Sequence, residues 1–171
     1  MRKKSVLSIF LVILIGITGC ASNMTKSVSS NLYKEDKNLV FFGVLSLPSE
    51  LDKKNIWIEK GPIIMAPNLA YRVIDKKELE FIGTDKKPYD FFKSALNKPG
   101  DNIEELFVSG FGEIDNKSHH VVDSVEIYVI KMKGNVKIYI LSPLLGFVVE
   151  VTSKVNSTEL IKNIISKTHL K

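Results

Sequence analysis

The stretch between Val125 and residue 141 constrains the fold of this chain more than any other. Two runs rich in β-branched and aromatic residues, Val125–Met132 and 136–141, flank Lys133-Gly134-Asn135. A glycine between two such runs gives a tight turn the left-handed backbone it needs, so the segment reads as a β-hairpin. Residues 147–151 alternate inward and outward side chains after a turn at 143–146 and add a further strand. The last element reads as a helix. Asn156 stands as its cap, Glu159 falls at the third helical position as in a capping box, and Val155 can staple onto Leu160. Leu160, Ile161, Ile164 and Ile165 form its apolar stripe.

Upstream, residues 39–47 (LVFFGVLSL) are apolar almost throughout and stop at Pro48, as expected of a buried strand. Residues 56–58 give a short second strand, and 69–74 with 79–82 a hairpin around Asp75-Lys76-Lys77. Pro88–Asn97 suits a helix with proline in its first turn, Tyr89, Phe92 and Leu96 on one face, and Lys98-Pro99-Gly100 as the stop. Residues 104–114 (EELFVSGFGEI) read as a strand whose Gly110 and Gly112 permit a bulge or close packing. The fold class is therefore α+β: a mostly antiparallel sheet of about six to seven strands with two helices on one face, the C-terminal helix packed on the sheet. This order is similar to the PsbP/Mog1-like layout over residues 39–170. The resemblance rests on no diagnostic residue and implies a fold rather than a function.

The N-terminus carries an address. Arg2, Lys3 and Lys4 precede an apolar run over 6–17, then Thr18 and Gly19 stand before Cys20, the single cysteine of the chain. A basic start, a short apolar middle and a small-residue cleavage site describe a secretory signal peptide over residues 1–19, and the apolar run is too short to span a bilayer. Its end, Ile17-Thr18-Gly19-Cys20, resembles the lipobox of bacterial lipoproteins. That resemblance implies a diacylglyceryl thioether on the Cys20 thiol, cleavage after Gly19 and acylation of the new amine. Two or more acyl chains hold a protein stably at a bilayer. The expected protein is thus extracytoplasmic and held to a membrane. With Ala21 and Ser22 after the cysteine, the family's sorting rule places it in the outer membrane facing the periplasm, if the host has two membranes. Residues 20–38, polar and without periodicity, read as a lipidated flexible tether, and 39–171 as a single domain.

Removal of residues 1–19 takes three basic side chains and no acid from the precursor's 24 and 19, so the net charge falls from +5 to +2. With that charge and no basic stripe interleaved with aromatics, nucleic acid is not an expected partner. The Lys-Lys pairs at 53, 76 and 86 read as solvated turn residues. A sole cysteine consumed by lipid leaves no disulfide, thiol nucleophile or cysteine metal site.

His119-His120 with Asp115 and Asp123 form the one group with metal-ligand character. Adjacent histidines on a strand point apart, and a zinc site needs three or four ligands, so the expectation is a polar loop and no metal. Ser109 lacks the glycine two positions earlier that a nucleophile elbow uses. Glu78/Glu80 and Glu104/Glu105 read as solvated carboxylates among lysines. The apolar residues Ile63, Ile64 and Met65, bracketed by Pro62 and Pro67, are either an irregular edge of the core or an exposed patch for a partner or an acyl chain. Trp57 and Phe91 share that ambiguity. The expected protein is an envelope lipoprotein that is not an enzyme and has no cofactor besides the covalent lipid on Cys20. Its domain binds another envelope protein, as an assembly accessory or a toxin-immunity protein does. The alternative is a carrier or sensor of a small apolar or lipid ligand, with a cavity lined by Phe92, Leu96 and Ile164.

Overall fold

The computed structural model describes residues 32–35, 38–41, 44–48, 58–60, 63–66, 69–154 and 157–171, with side chains placed at 44–47, 69–154 and 157–171. The segment expected to be a signal peptide, Cys20 and Trp57 lie outside the described residues. The centre of the fold is the expected hairpin, β8 (Val125–Met132) and β9 (Asn135–Leu141), turning at Lys133-Gly134 with Gly134 at φ +83°. Any side chain with a Cβ would be strained at that angle. A two-residue turn at Asp123-Ser124, with Asp123 at φ 54°, joins β7 (Ile114–Val122) to β8. β10 (Phe147–Ser153) pairs with β9 on one side and with β6 (Leu69–Asp75) on the other. With β4 (Ile58–Lys60) and β5 (Ile63–Ala66) these form a seven-stranded sheet, order β4-β5-β6-β10-β9-β8-β7, antiparallel at every pairing.

The sheet is covered on both faces, which explains why β8 and β10 are buried almost along their whole length. Val125, Ile127 and Val129 of β8 join Ile138, Ile140, Val149 and Val151 in one core, closed by Leu160, Ile161 and Ile164 of α4 (Thr158–Lys167). Leu45 and Leu47 of β3 (Leu45–Pro48) complete it. Alternate residues of the same strands, Tyr128, Ile130, Met132 and Tyr139, enter a second core under Leu79 of α1 (Lys76–Phe81) and Phe91, Phe92 and Leu96 of α2 (Pro88–Asn97). Phe107 of α3 (Asn102–Ser109) packs against that second core. A smaller antiparallel sheet holds β1 (Leu32–Glu35), β2 (Asn38–Phe41), β3 and β11 (His169–Leu170), with the Lys171 N–H donating to Val44 O at 2.9 Å.

The α+β class, the antiparallel sheet and the packing of the C-terminal helix on it stand as expected. Several details differ. The described residues hold four helices rather than two, on opposite faces of the sheet. Residues 79–81 belong to α1 and 104–109 to α3, where strands were expected. An aspartate caps each: the Asp75 side chain accepts from the Glu78 N–H, and the Asp101 side chain from the Ile103 and Glu104 N–H groups. Residues 39–47 divide between β2 and β3, which pair with each other through Leu39↔Leu47. β1 falls within the stretch read as tether, and among the described residues Leu32 is the first with a strand partner. Ser157, not Asn156, caps α4, accepting from the Leu160 N–H at 3.1 Å. Phe91 is fully buried.

Candidate functional site

Strand register assembles a polar row across the face of the sheet that α1 and α2 cover. His119 of β7 lies opposite Tyr128 of β8, Tyr128 opposite Tyr139 of β9, Tyr139 opposite Glu150 of β10, and Glu150 opposite Arg72 of β6. Buried polar groups need partners, and each hydroxyl here has a carboxylate. Tyr139 Oη donates to Glu150 Oε2 at 2.7 Å, Thr152 Oγ1 donates to Glu150 Oε1 at 3.3 Å, and Arg72 pairs with Glu78 of α1. Burial first, then the adjacent Glu150 charge, pushes the Tyr139 hydroxyl well above its ordinary range.

The densest part of the row surrounds Glu126, one step along β8 from the start of that strand. On its Oε1 it accepts from Tyr89 Oη at 2.6 Å and Lys93 Nζ at 2.8 Å; on its Oε2 it accepts from Tyr128 Oη and His119 Nε2, each at 3.0 Å. The sequence builds this by spacing: Tyr89, Lys93 and Asn97 recur every fourth residue along α2 and form one edge of it. Asn97 Nδ2 donates to Tyr128 Oη at 2.9 Å, and Lys93 Nζ donates to Tyr89 Oη at 2.7 Å. The imidazole of His119 stacks on the Tyr128 ring, centroids 4.2 Å apart and planes at 13°.

Burial works against the Glu126 charge, but hydrogen bonds from Lys93, Tyr89 and Tyr128 outweigh it and hold the carboxyl down at about 2. An ionised carboxylate only accepts, so Nε2 of His119 carries the proton that faces it. Tyr128 is pushed up to about 12, by burial first and by the Glu126 charge, against the hydrogen bond with Asn97. The Glu126 interaction, ahead of that with Tyr89, raises Lys93 above its ordinary value. Near neutral pH the Glu126 carboxylate stays ionised and Tyr128 stays protonated, and their hydrogen bonds tie α2, β7 and β8 together.

A second cluster ties the helices to one another. The Glu104 side chain is fully enclosed, accepting from Lys86 Nζ at 2.6 Å, Ser94 Oγ at 2.7 Å and the Gly100 N–H at 2.6 Å. Lys86 Nζ also reaches Asp101 Oδ2 at 2.6 Å. Burial opposes the Glu104 charge, and these donors together keep its carboxyl below the ordinary value. Sequence reasoning placed Glu104 on a solvated face; capping geometry turns it inward, three residues after Asp101. Glu104→Ala leaves Ser94 Oγ and the Gly100 N–H without this acceptor and is expected to lower stability by about 2 kcal/mol, measured by urea unfolding.

The structure separates the other sequence candidates. His119 and His120 stand on β7, not in a loop, and face opposite sides: His119 toward Glu126, His120 beside Ser118 Oγ at 3.1 Å. Among the described residues, no three of histidine, cysteine, aspartate and glutamate come together as metal ligands. Ser109 ends α3 and donates to Leu106 O at 2.8 Å. Phe92 and Leu96 lie on one face of the sheet and Ile164 on the other, so these three line no common cavity. Ile63, Ile64 and Met65 form β5, paired with β4 on one side and β6 on the other. That pairing makes β5 an inner strand of the sheet. The side chains of these three residues lie outside the described set. Comparison with known proteins finds no family model that matches the chain and no curated protein with significant similarity to it.

Proposed function

We propose that this is an envelope lipoprotein, lipidated at Cys20, whose domain is a non-enzymatic binding module for another envelope protein of the assembly-accessory or toxin-immunity type. The observation that carries this reading is the state of its buried acids. Glu126 accepts from four side chains and Glu104 from three groups, all supplied by the chain itself. Carboxylates saturated in this way act as struts that hold a surface rigid, and a rigid surface lowers the ordering cost of binding. An anchor favours the same role, because confinement to a membrane raises the local concentration of the module near its partner.

Two measurements test the reading. Labelled palmitate is expected in the wild-type protein and absent from Cys20→Ser; label that persists in the variant overturns the anchor. In-cell crosslinking, purification from membranes in mild detergent and mass spectrometry are expected to return one stoichiometric envelope protein, lost or weakened in Cys20→Ser. Recovery of a small apolar molecule and no protein replaces the module with a ligand carrier.

A further inference from the structure

The seven-stranded sheet ends on a strand whose outer side is open. β7 pairs with β8 and, among the described residues, with no other strand. The two-residue turn makes Val122↔Val125 a pair that exchanges both backbone hydrogen bonds, and the two kinds of pair alternate along an antiparallel ladder. Ser118 and His120 therefore turn their backbone groups toward β8, while the N–H and C=O of Lys117, His119 and Val121 point away from it. Such an edge is a template for one more strand. Side chains along it are exposed or half-buried, Val121 at 61%. An edge that stays single often carries a lysine or a bulge, and β7 has both: Lys117, and the shifted register between Ile114 and Asn116. Burial alone lowers Lys117, with no carboxylate beside it to offset the loss of water. A strand that pairs here must bring Lys117 a negative charge and must stop short of the bulge.

We propose that this strand is β7 of a second copy of the chain, antiparallel about a two-fold axis through His120. Self-pairing sets outward-facing residues opposite outward-facing residues, so the axis falls on a residue of the strand, and each choice gives different neighbours. Centred on Lys117, the two lysines meet. Centred on Ser118, the ladder runs into the bulge at Asp115. Centred on His119, Lys117 faces Val121 and gains no charge. Centred on His120, Lys117 faces Asp123 of the second copy, which is exposed at the turn after β7, and Val121 faces His119. That ladder spans 117–123 and is clear of the bulge. Opposite charges then meet twice, once on each side of the axis. The axis stands perpendicular to the sheet, so both copies present α4 on the same side. The small sheet that contains β1 lies on that side too, because its β3 shares a core with α4. The pairing thus brings β1 of both copies to one side, as two chains anchored in one bilayer require. The pairing itself does not rest on the lipoprotein reading.

Disulfide trapping and sedimentation of the full-length protein, purified from membranes in mild detergent, test this. At the axis the Cα atoms of residue 120 in the two copies are about 4.5 Å apart, within reach of a disulfide. Those of residue 121 are about 9 Å apart, beyond it. Under mild oxidant His120→Cys is expected to give a bridged dimer. Val121→Cys is not, and neither is Leu144→Cys, on the exposed turn before β10. Sedimentation needs no introduced cysteine. It is expected to show a wild-type dimer whose dissociation constant rises about tenfold in Lys117→Glu. A wild-type monomer, an association unchanged in Lys117→Glu, or bridging at 121 or 144 equal to that at 120 overturns the proposal. A bridge from residue 120 to a different protein overturns it in favour of a strand from that protein. Bridging of the wild type through Cys20 strikes the anchor and not the pairing, which His120→Cys in a Cys20→Ser background then upholds or overturns.

Discussion

Phe92→Ala is expected to destabilise the protein by about 3–5 kcal/mol, seen as a lower urea midpoint with an unchanged slope. Phe92 is 1% exposed, and its ring meets those of Phe91 at 5.3 Å, Phe107 at 5.2 Å and Tyr139 at 5.2 Å. The contacts with Phe91 and Phe107 are edge-on and add to simple burial, and alanine leaves a void that rings held by two helices and a strand fill only in part. Ile164→Ala, on the other side of the sheet, is expected to cost about 2–5 kcal/mol. Because the sheet stands between the two cores, the double variant should lose the sum of the single losses. A coupling above about 1 kcal/mol would mean that the two side chains share a space after all, as a ligand carrier requires.

Glu126→Gln is expected to weaken the protein at neutral pH and to flatten its acid unfolding. The Glu126 carboxyl is held at about 2 in the folded chain against an ordinary 4.5. A depressed carboxyl contributes its stability above the ordinary value and loses it as the pH falls toward the folded one. The window is therefore from about pH 4.5 down to about 2, and the contribution at neutral pH is about 3 kcal/mol. Glu104 and Asp101 are also lowered, so the variant keeps some acid sensitivity. Urea unfolding at a series of pH values measures both effects. An acid limb of unchanged steepness in Glu126→Gln would show that the four donors do not favour the charged form.

The hairpin at 125–141, the strand after it and the helix at Pro88–Asn97 were legible because periodicity and turn chemistry agree there. Two helices were missed for one shared reason. The runs LEFI and LFVSGF are rich in aromatic and β-branched residues, which weighs toward strands, and tertiary packing overrode that preference. A better signal stood just upstream in both: Asp75 with Glu78, and Asp101 with Glu104, each an aspartate followed three residues later by glutamate, the spacing of a capping box. The polar row was harder to see. Glu126, Tyr139 and Glu150 are separate in sequence, and only the strand register makes them neighbours. The Tyr89, Lys93 and Asn97 spacing was visible, but its meaning depended on which strand lay beneath α2.

The order of pairing along the chain has a consequence for how the protein is made. β6 cannot complete its place until β10, some seventy residues later, is available, and β3 waits for β11 at Leu170. Pairings this distant form slowly, after the local β7–β10 meander. A chain that emerges N-terminus first, from a ribosome or across a membrane, therefore presents its early strands with open hydrogen-bonding edges until nearly the last residue appears. Such a chain is exposed to mispairing throughout its emergence. Truncations near the C-terminus should therefore leave the early strands unclosed rather than merely shorten the protein.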